Sequence, residues 1–174
     1  VPFEVPALNL LARAAQGSMR DALSLLDQAI AHGAGKVGET SVREMLGAVD
    51  RGYLFSILRA LTEGDGPALL AEAERMVARS LSFETALQEL ATLLHRIALA
   101  QTIPDALADD EPDRDTLIAL GRAFKEEDVQ LLYEIAIHGR RDLGLAPDEF
   151  AGFTMTLMRM LAFVPVEPGG KLAS

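Results

Sequence analysis

The spacing of apolar residues constrains the fold of this chain most, because they recur every three or four positions along most of its length. Met19, Leu23, Leu26 and Ile30, for example, would form a single apolar stripe on a helix. No segment shows the apolar–polar alternation that is typical of a β-strand. Alanine and leucine, both strong helix formers, dominate the composition. The sequence therefore predicts an all-α fold of roughly nine helices.

Glycines, prolines and capping residues divide the apolar pattern into separate helices. Thr40 or Ser41 is expected to cap the third helix and Gly47 to end it, and Pro165 is expected to end the folded part. The predicted helices cover approximately residues 6–15, 19–32, 40–46, 54–61, 69–80, 83–101, 114–124, 126–139 and 148–161.

The charge balance argues against nucleic acid as a direct ligand. Sixteen Lys and Arg against 26 Asp and Glu give a net charge of −10, and such an acidic surface neutralises phosphates poorly. The absence of cysteine excludes disulfides and cysteine-based zinc or nucleophile chemistry. There is no apolar run of about 18 residues and no charged-then-apolar leader. We therefore predict a cytoplasmic chain that has no membrane segment and binds no nucleic acid directly.

Residues 102–113 form the most acidic segment, which is bounded by Pro104 and Pro112 and includes Asp109, Asp110 and Glu111. Its prolines and dense charge predict a solvated, mobile loop. The carboxylates lack the glycine and the terminal glutamate of an EF-hand calcium loop. We therefore predict no metal site here or elsewhere in the chain.

A helix start at Ser18 carries the first functional signal. Ser18 is a favourable N-cap, and Asp21 three residues later completes a capping-box-like pair. Arg20 is unusual there, because the helix dipole disfavours an exposed cation in the first turn by about 0.3–1 kcal/mol. An anion such as phosphate bound at this helix end would explain the arginine. The alternative is a surface arginine paired with Asp21 or another acid.

The surrounding sequence resembles the lid of bacterial clamp-loader ATPases, which are AAA+ proteins. The resemblance runs over residues 10–31, LLARAAQGSMRDALSLLDQAIA, and GSMRDA at 17–22 matches the sensor 2 motif of that family. The resemblance implies that Arg20 contacts the phosphates of an ATP bound mainly by a preceding domain. It therefore favours the phosphate interpretation of Arg20.

Several later segments resemble the helical collar domain of the gamma/tau family of bacterial DNA polymerase III clamp-loader subunits. These segments are LHRIALAQ at 94–101, QLLY at 130–133, GRRDL at 139–143, APD at 146–148 and TLMRMLAF at 156–163. In that family the collars pack side by side and hold a five-subunit loader together. The resemblance implies other gamma/tau copies and the delta and delta-prime subunits as partners, in ATP-driven loading of sliding clamps during DNA replication.

The resemblance also predicts the domain organisation. Residues 1–49 would be the C-terminal part of an AAA+ lid, residues 50–165 the collar, and residues 166–174 a flexible Pro/Gly-rich tail. The chain lacks an initiator methionine and enters a helix at once, so we expect a piece of a longer protein with the lid truncated at its front.

No catalytic residue is predicted in this chain. It has neither a Gly-x-x-x-x-Gly-Lys-[Ser/Thr] phosphate loop nor an apolar strand ending in paired acids for magnesium, and ATP hydrolysis needs both. We therefore expect no ATPase activity from the chain alone and no cofactor of its own. The resemblance implies that the longer protein is an ATPase subunit of the DNA polymerase III holoenzyme that uses ATP and magnesium.

Four residues are candidates for a subunit interface. Leu90 and Ile97 lie on the wide apolar face of the longest predicted helix, and a wide face indicates contacts on more than one side. If they are internal core instead, aspartate at either position would unfold the domain. Arg140 and Arg141 would either bind an acidic surface on a neighbouring subunit or simply complement the dipole of a helix end.

Three other interpretations compete with the gamma/tau collar. In the first, the chain is a free-standing helical adaptor without a nucleotide role, which leaves Arg20 unexplained. In the second, it is a small helical enzyme, although no convergent acid, base or metal ligands are apparent. In the third, it is the same region of a related loader subunit, such as delta-prime or a eukaryotic homologue.

Overall fold

The computed structural model describes residues 1–46, 49–111 and 113–164, together with the backbone of residues 166–167 and 171–172. Over these residues the chain forms nine α-helices, two single-turn 3₁₀ helices and one pair of two-residue strands, which confirms the predicted all-α fold. The α-helices are α1 (Val5–Ala14), α2 (Met19–His32), α3 (Glu39–Leu46), α4 (Arg51–Glu63), α5 (Gly66–Ala78), α6 (Phe83–Thr102), α7 (Arg114–Ala123), α8 (Glu126–Asp142) and α9 (Glu149–Phe163).

The helices group into two compact units, Val1–Asp50 and Arg51–Ser174. In the first unit, α1, α2 and α3 enclose a small core built from Ala7, Leu11, Ala29, Val37 and Val42. A single parallel bridge between Phe3 and Val37 ties the start of the chain to the α2–α3 connection.

The apolar stripe predicted for α2 is only partly correct. Met19 and Leu23 are 74% and 56% exposed, whereas Leu26 and Ile30 pack against the core of the unit. Leu25 and Ala29 complete the packed face, which is rotated from the predicted one. The sequence of α2 places apolar residues on several sides of the helix, so periodicity alone is compatible with two different apolar stripes. Packing against α1 and α3 determines which of the two is buried.

A carboxylate from the start of the chain caps α3. Glu4 Oε2 accepts a hydrogen bond from the backbone N–H of Glu39 at 2.8 Å. The predicted caps, Thr40 and Ser41, lie inside α3 instead. Capping bonds of this kind typically contribute about 0.5–2 kcal/mol, so Glu4 links the first residues of the chain to the stability of α3.

The longest helix, α6, is the centre of the second unit. It packs against α7 and α8 along its length and also contacts α4 and α9. Phe83 at its start stacks on Phe153 of α9, with ring centroids 4.5 Å apart. The wide apolar face of α6 is therefore explained by several neighbours within the same unit.

A glycine sets the distance between α8 and α9. A Cβ atom built on Gly139 would lie 2.5 Å from both Cγ2 and Oγ1 of Thr156, closer than van der Waals contact allows. The hydroxyl of Thr156 donates to the carbonyl of Gly152 within α9 at 2.9 Å, which satisfies this buried group. Any larger residue at position 139 would force the two helices apart.

The acidic connection between α6 and α7 is solvated only in part. Asp105, Asp109 and Asp110 are exposed as predicted, but other residues anchor the connection. Leu107 is buried, and Glu111 is almost buried beside Arg96 of α6, with Oε2 of Glu111 3.5 Å from Nη1 of Arg96. Asp113 pairs with Arg51 at the start of α4, at 3.3 Å. The charge run therefore serves partly to hold the connection onto the helices, because its carboxylates meet cations from two of them.

Part of the predicted tail has regular backbone structure. Val166–Glu167 pairs antiparallel with Lys171–Leu172. The predictions for Gly47 and Pro165, and the rest of the predicted tail, fall outside the residues that the structure describes. Within the described part of the chain, no helix has the length and apolarity needed to cross a membrane.

Candidate functional site

The start of α2 is built by a tight turn after α1. Gln16 and Gly17 have positive φ angles of 50° and 82°, and a glycine adopts such a conformation at little cost. Ser18 is the N-cap residue, and its Oγ accepts a hydrogen bond from the backbone N–H of Asp21 at 3.2 Å. The reciprocal half of a capping box is not formed, because the N–H of Ser18 donates to the carbonyl of Ala15 at 3.0 Å.

Arg20 is exposed in the first turn of this helix. Among the residues that the structure describes, it has neither an ion pair nor a hydrogen bond from its side chain, although Asp21 is its neighbour in sequence. The local-pair interpretation of Arg20 therefore finds no support in the first unit. The arrangement presents a free guanidinium beside a helix N-terminus, which are two groups that attract phosphate oxygens.

Leu90 and Ile97 do not lie at a surface, so the prediction that they form a subunit interface is wrong. Both side chains are completely buried inside the second unit. The physical reason is the central position of α6, whose apolar faces are covered by α7, α8, α9 and α4. Residues packed on all sides within one chain cannot contact a neighbouring subunit without unfolding.

Arg140 and Arg141 lie in the last turn of α8 and are exposed. Nη2 of Arg140 is 3.6 Å from Oε1 of Glu84 on α6, a solvent-exposed pair of small energetic value. Arg141 makes no ion pair within the described ranges. Both arginines border an open groove between α6 and α8, together with Tyr133 and Ile137.

Sequence reasoning missed that groove. Tyr133 and Ile137 belong to the same helix as the arginines and stand on one flank of it, but a periodic pattern does not show which flank a second helix leaves open. The structure shows that Ile137 is partly exposed, which identifies the flank of α8 that is left open.

The carboxyl group of Asp128 lies at the opposite end of α8. Burial raises its pKa above the ordinary value, the charge of Glu127 raises it further, and Lys125 partly offsets both. No described group of three or more His, Asp or Glu side chains is close enough to hold a metal ion.

Family models match nearly the whole chain. The model for the ATPase lid domain of the DNA polymerase III clamp loader subunit matches residues 1–35. The model for domain III of the DNA polymerase III subunits gamma and tau matches residues 37–172.

Individual relatives agree with these matches. The chain is 43% identical over 169 residues to the DNA polymerase III subunit tau of Escherichia coli K12, covering 97% of this chain and 26% of that protein. It is 42% identical over 165 residues to the subunit tau/gamma of Haemophilus influenzae, covering 95% and 24% respectively. The chain thus spans about a quarter of the length of these relatives. It belongs to the gamma and tau family of DNA polymerase III clamp-loader subunits.

Proposed function

We propose that this chain is the assembly module of a clamp-loader subunit, joined to the part of a lid that senses bound ATP. The second unit would act as a collar that associates with further gamma/tau copies and with the delta and delta-prime subunits. The observation that carries the proposal is the domain III match over residues 37–172, supported by relatives that are 41–43% identical over 97% of the chain.

The second part of the proposal concerns Arg20. Its exposure, its place in the first turn of α2 and its lack of a partner among the described residues support contact with a phosphate group supplied from outside this unit. ATP and magnesium would be bound by another domain of the longer protein, and Arg20 would report the presence of the γ-phosphate to the lid. Such coupling of a local charge contact to a domain orientation is a common physical switch.

The remaining properties follow from this assignment. Beyond the phosphate contact of Arg20, the chain would contribute no residue to ATP hydrolysis, and its net charge of −10 disfavours direct binding to DNA. We propose the bacterial cytoplasm as its location, because the relatives are subunits of a bacterial DNA polymerase.

Removal of the second unit tests the collar assignment. In the full-length protein in which this sequence occurs, we expect deletion of residues 51–174 to abolish co-purification with the delta and delta-prime subunits. Binding of ATP by the preceding domain should persist and serves as the control for folding. Assembly that survives the deletion, with ATP binding intact, would contradict the collar assignment.

A further inference from the structure

Three hydrogen bonds tie the first residues of the chain to the connection between α2 and α3. The backbone N–H of Val37 donates to the carbonyl of Pro2, and the N–H of Glu4 donates to the carbonyl of Val37, both at 2.9 Å. The carboxylate of Glu4 then accepts a hydrogen bond from the N–H of Glu39 at 2.8 Å. We call these three bonds, which join residues 2–4 to residues 37–39, the α3 clamp.

The clamp supplies a cap that the residue before α3 cannot provide. The carbonyl of Gly38 accepts a hydrogen bond from the N–H of Val42 at 3.0 Å, which places Gly38 at the N-cap position. A glycine has no side-chain acceptor for the free N–H groups of the first helical turn. The carboxylate of Glu4 takes this role, and its negative charge also suits the positive end of the helix dipole.

Without the clamp, the α2–α3 connection would be a loose joint. Residues 33–38 contain three glycines, and a glycine restricts the backbone least of all residues. The clamp holds this segment through hydrogen bonds on both sides of Val37, whose side chain is buried in the core of the unit. The orientation of α3 is therefore fixed by residues 2–4 as well as by the end of α2.

Arg20 and the clamp lie at opposite ends of α2. Arg20 is in the first turn of this 14-residue helix, and the clamped connection follows its last turn. A helix of this length spans about 20 Å and moves as a rigid element, so a displacement at one end also displaces the other. A phosphate that binds Arg20 would thus act on the clamp through α2. The next helix, α3, is the last one of the first unit.

We infer that the α3 clamp couples the phosphate contact of Arg20 to the orientation of α3, and that Glu4 is the positioning residue of this coupling. The inference rests on the proposed role of Arg20 and deepens it. When the clamp is closed, α2 and α3 respond to bound ATP as one body. When the bond from Glu4 is lost, α2 still responds, but α3 does not follow.

Amide hydrogen exchange of the full-length protein in which this sequence occurs tests the coupling, with the analogue ATPγS as the probe. In the wild-type protein we expect ATPγS to slow exchange about fivefold or more in residues 19–32 and also in residues 39–46. In Glu4→Ala, ATPγS should still slow the exchange of residues 19–32. Its effect on residues 39–46 should fall below about twofold.

A second variant separates coupling from simple loss of the cap. Glu4→Ala combined with Gly38→Asp gives α3 a local N-cap but no bond to residues 2–4. A Cβ atom at position 38 meets no atom closer than 4.0 Å, so the aspartate fits. We expect exchange in α3 without nucleotide to return towards the wild-type rate, while the response to ATPγS stays lost. A response that the local cap restores would overturn the inference, because a cap alone would then be sufficient.

Arg43→Ala is the matched control for a weakened α3. Nη2 of Arg43 lies 3.2 Å from Oε1 of Glu39 within the same helix, so this variant disturbs α3 and leaves the clamp intact. We expect faster exchange in α3 with and without ATPγS, and an unchanged ratio between the two states. An equal loss of the response in Arg43→Ala and Glu4→Ala would contradict a specific role of the clamp.

The wild-type protein distinguishes this inference from the proposed function. If ATPγS slows exchange in α2 but not in α3, the coupling is overturned and the phosphate contact of Arg20 stands. If ATPγS binds and changes neither helix, the phosphate contact and the coupling are both overturned. A full response of α3 in Glu4→Ala overturns the coupling alone.

Discussion

Leu90→Asp and Ile97→Asp are each expected to unfold the second unit rather than to separate folded subunits. Both leucine and isoleucine side chains are completely buried in α6. Truncating a buried Leu or Ile costs about 2–5 kcal/mol, and an unpaired carboxylate in the same place adds several more. The sum rivals the whole stability of an ordinary domain, which is about 5–15 kcal/mol. Circular dichroism should therefore show loss of helix at temperatures where the wild-type chain is folded.

The matched control is Leu145→Asp, because Leu145 lies in the 3₁₀ turn after α8 and is largely exposed. Surface changes of this kind usually alter the free energy of unfolding by less than about 0.5 kcal/mol. If Leu90→Asp keeps its full helical content and melting temperature while sedimentation shows smaller particles, the assignment of Leu90 to the internal core is wrong.

Arg20→Ala is expected to reduce the ATPase activity of the full-length protein about 100-fold or more, when it is reconstituted with its loader, clamp and primed DNA. Removal of one preorganised donor from a developing phosphate charge typically costs a factor of about 10²–10³. The free energy of unfolding of the first unit, by contrast, should rise slightly. Loss of an exposed cation from the first turn of α2 relieves an unfavourable dipole interaction of about 0.3–1 kcal/mol.

This combination separates a phosphate contact from a structural role. If Arg20 only supported the fold, its replacement would lower the ATPase activity and the free energy of unfolding together. Arg13→Ala, at an exposed position near the end of α1, is the control for an arginine of the same unit. If Arg20→Ala leaves the ATPase activity unchanged, the proposed contact between Arg20 and ATP is wrong. The collar assignment would be unaffected.

The fold class could be predicted from the sequence because apolar periodicity and the residues that cap or break helices both act locally. Ser18, Ser82 and Asp148 each cap the helix that follows them through a bond to a backbone N–H three residues on. The cap of α3 could not be predicted in this way. Glu4 reaches it from 35 positions away, and only the tertiary arrangement brings the two together.

Burial was harder to predict than helicity. A wide apolar face has two physical explanations, several neighbours in the same unit or a partner subunit, and periodicity does not distinguish them. Leu90 and Ile97 fall in the first class. Met19 and Leu23 belong to the stripe predicted for α2, but packing buries only the other half of that stripe and leaves these two side chains exposed. The groove between α6 and α8 is formed by two helices that are not consecutive in sequence, so no local sequence pattern predicts it.

The central claim, that this chain joins clamp-loader subunits, is tested most directly by the mass of its complexes. The 174-residue chain is mixed with the delta and delta-prime subunits of the same organism and examined by analytical ultracentrifugation. We predict a stable species that contains all three polypeptides and that forms without ATP, because the chain carries no phosphate loop. Three components that sediment separately, with the chain still helical, would contradict the claim.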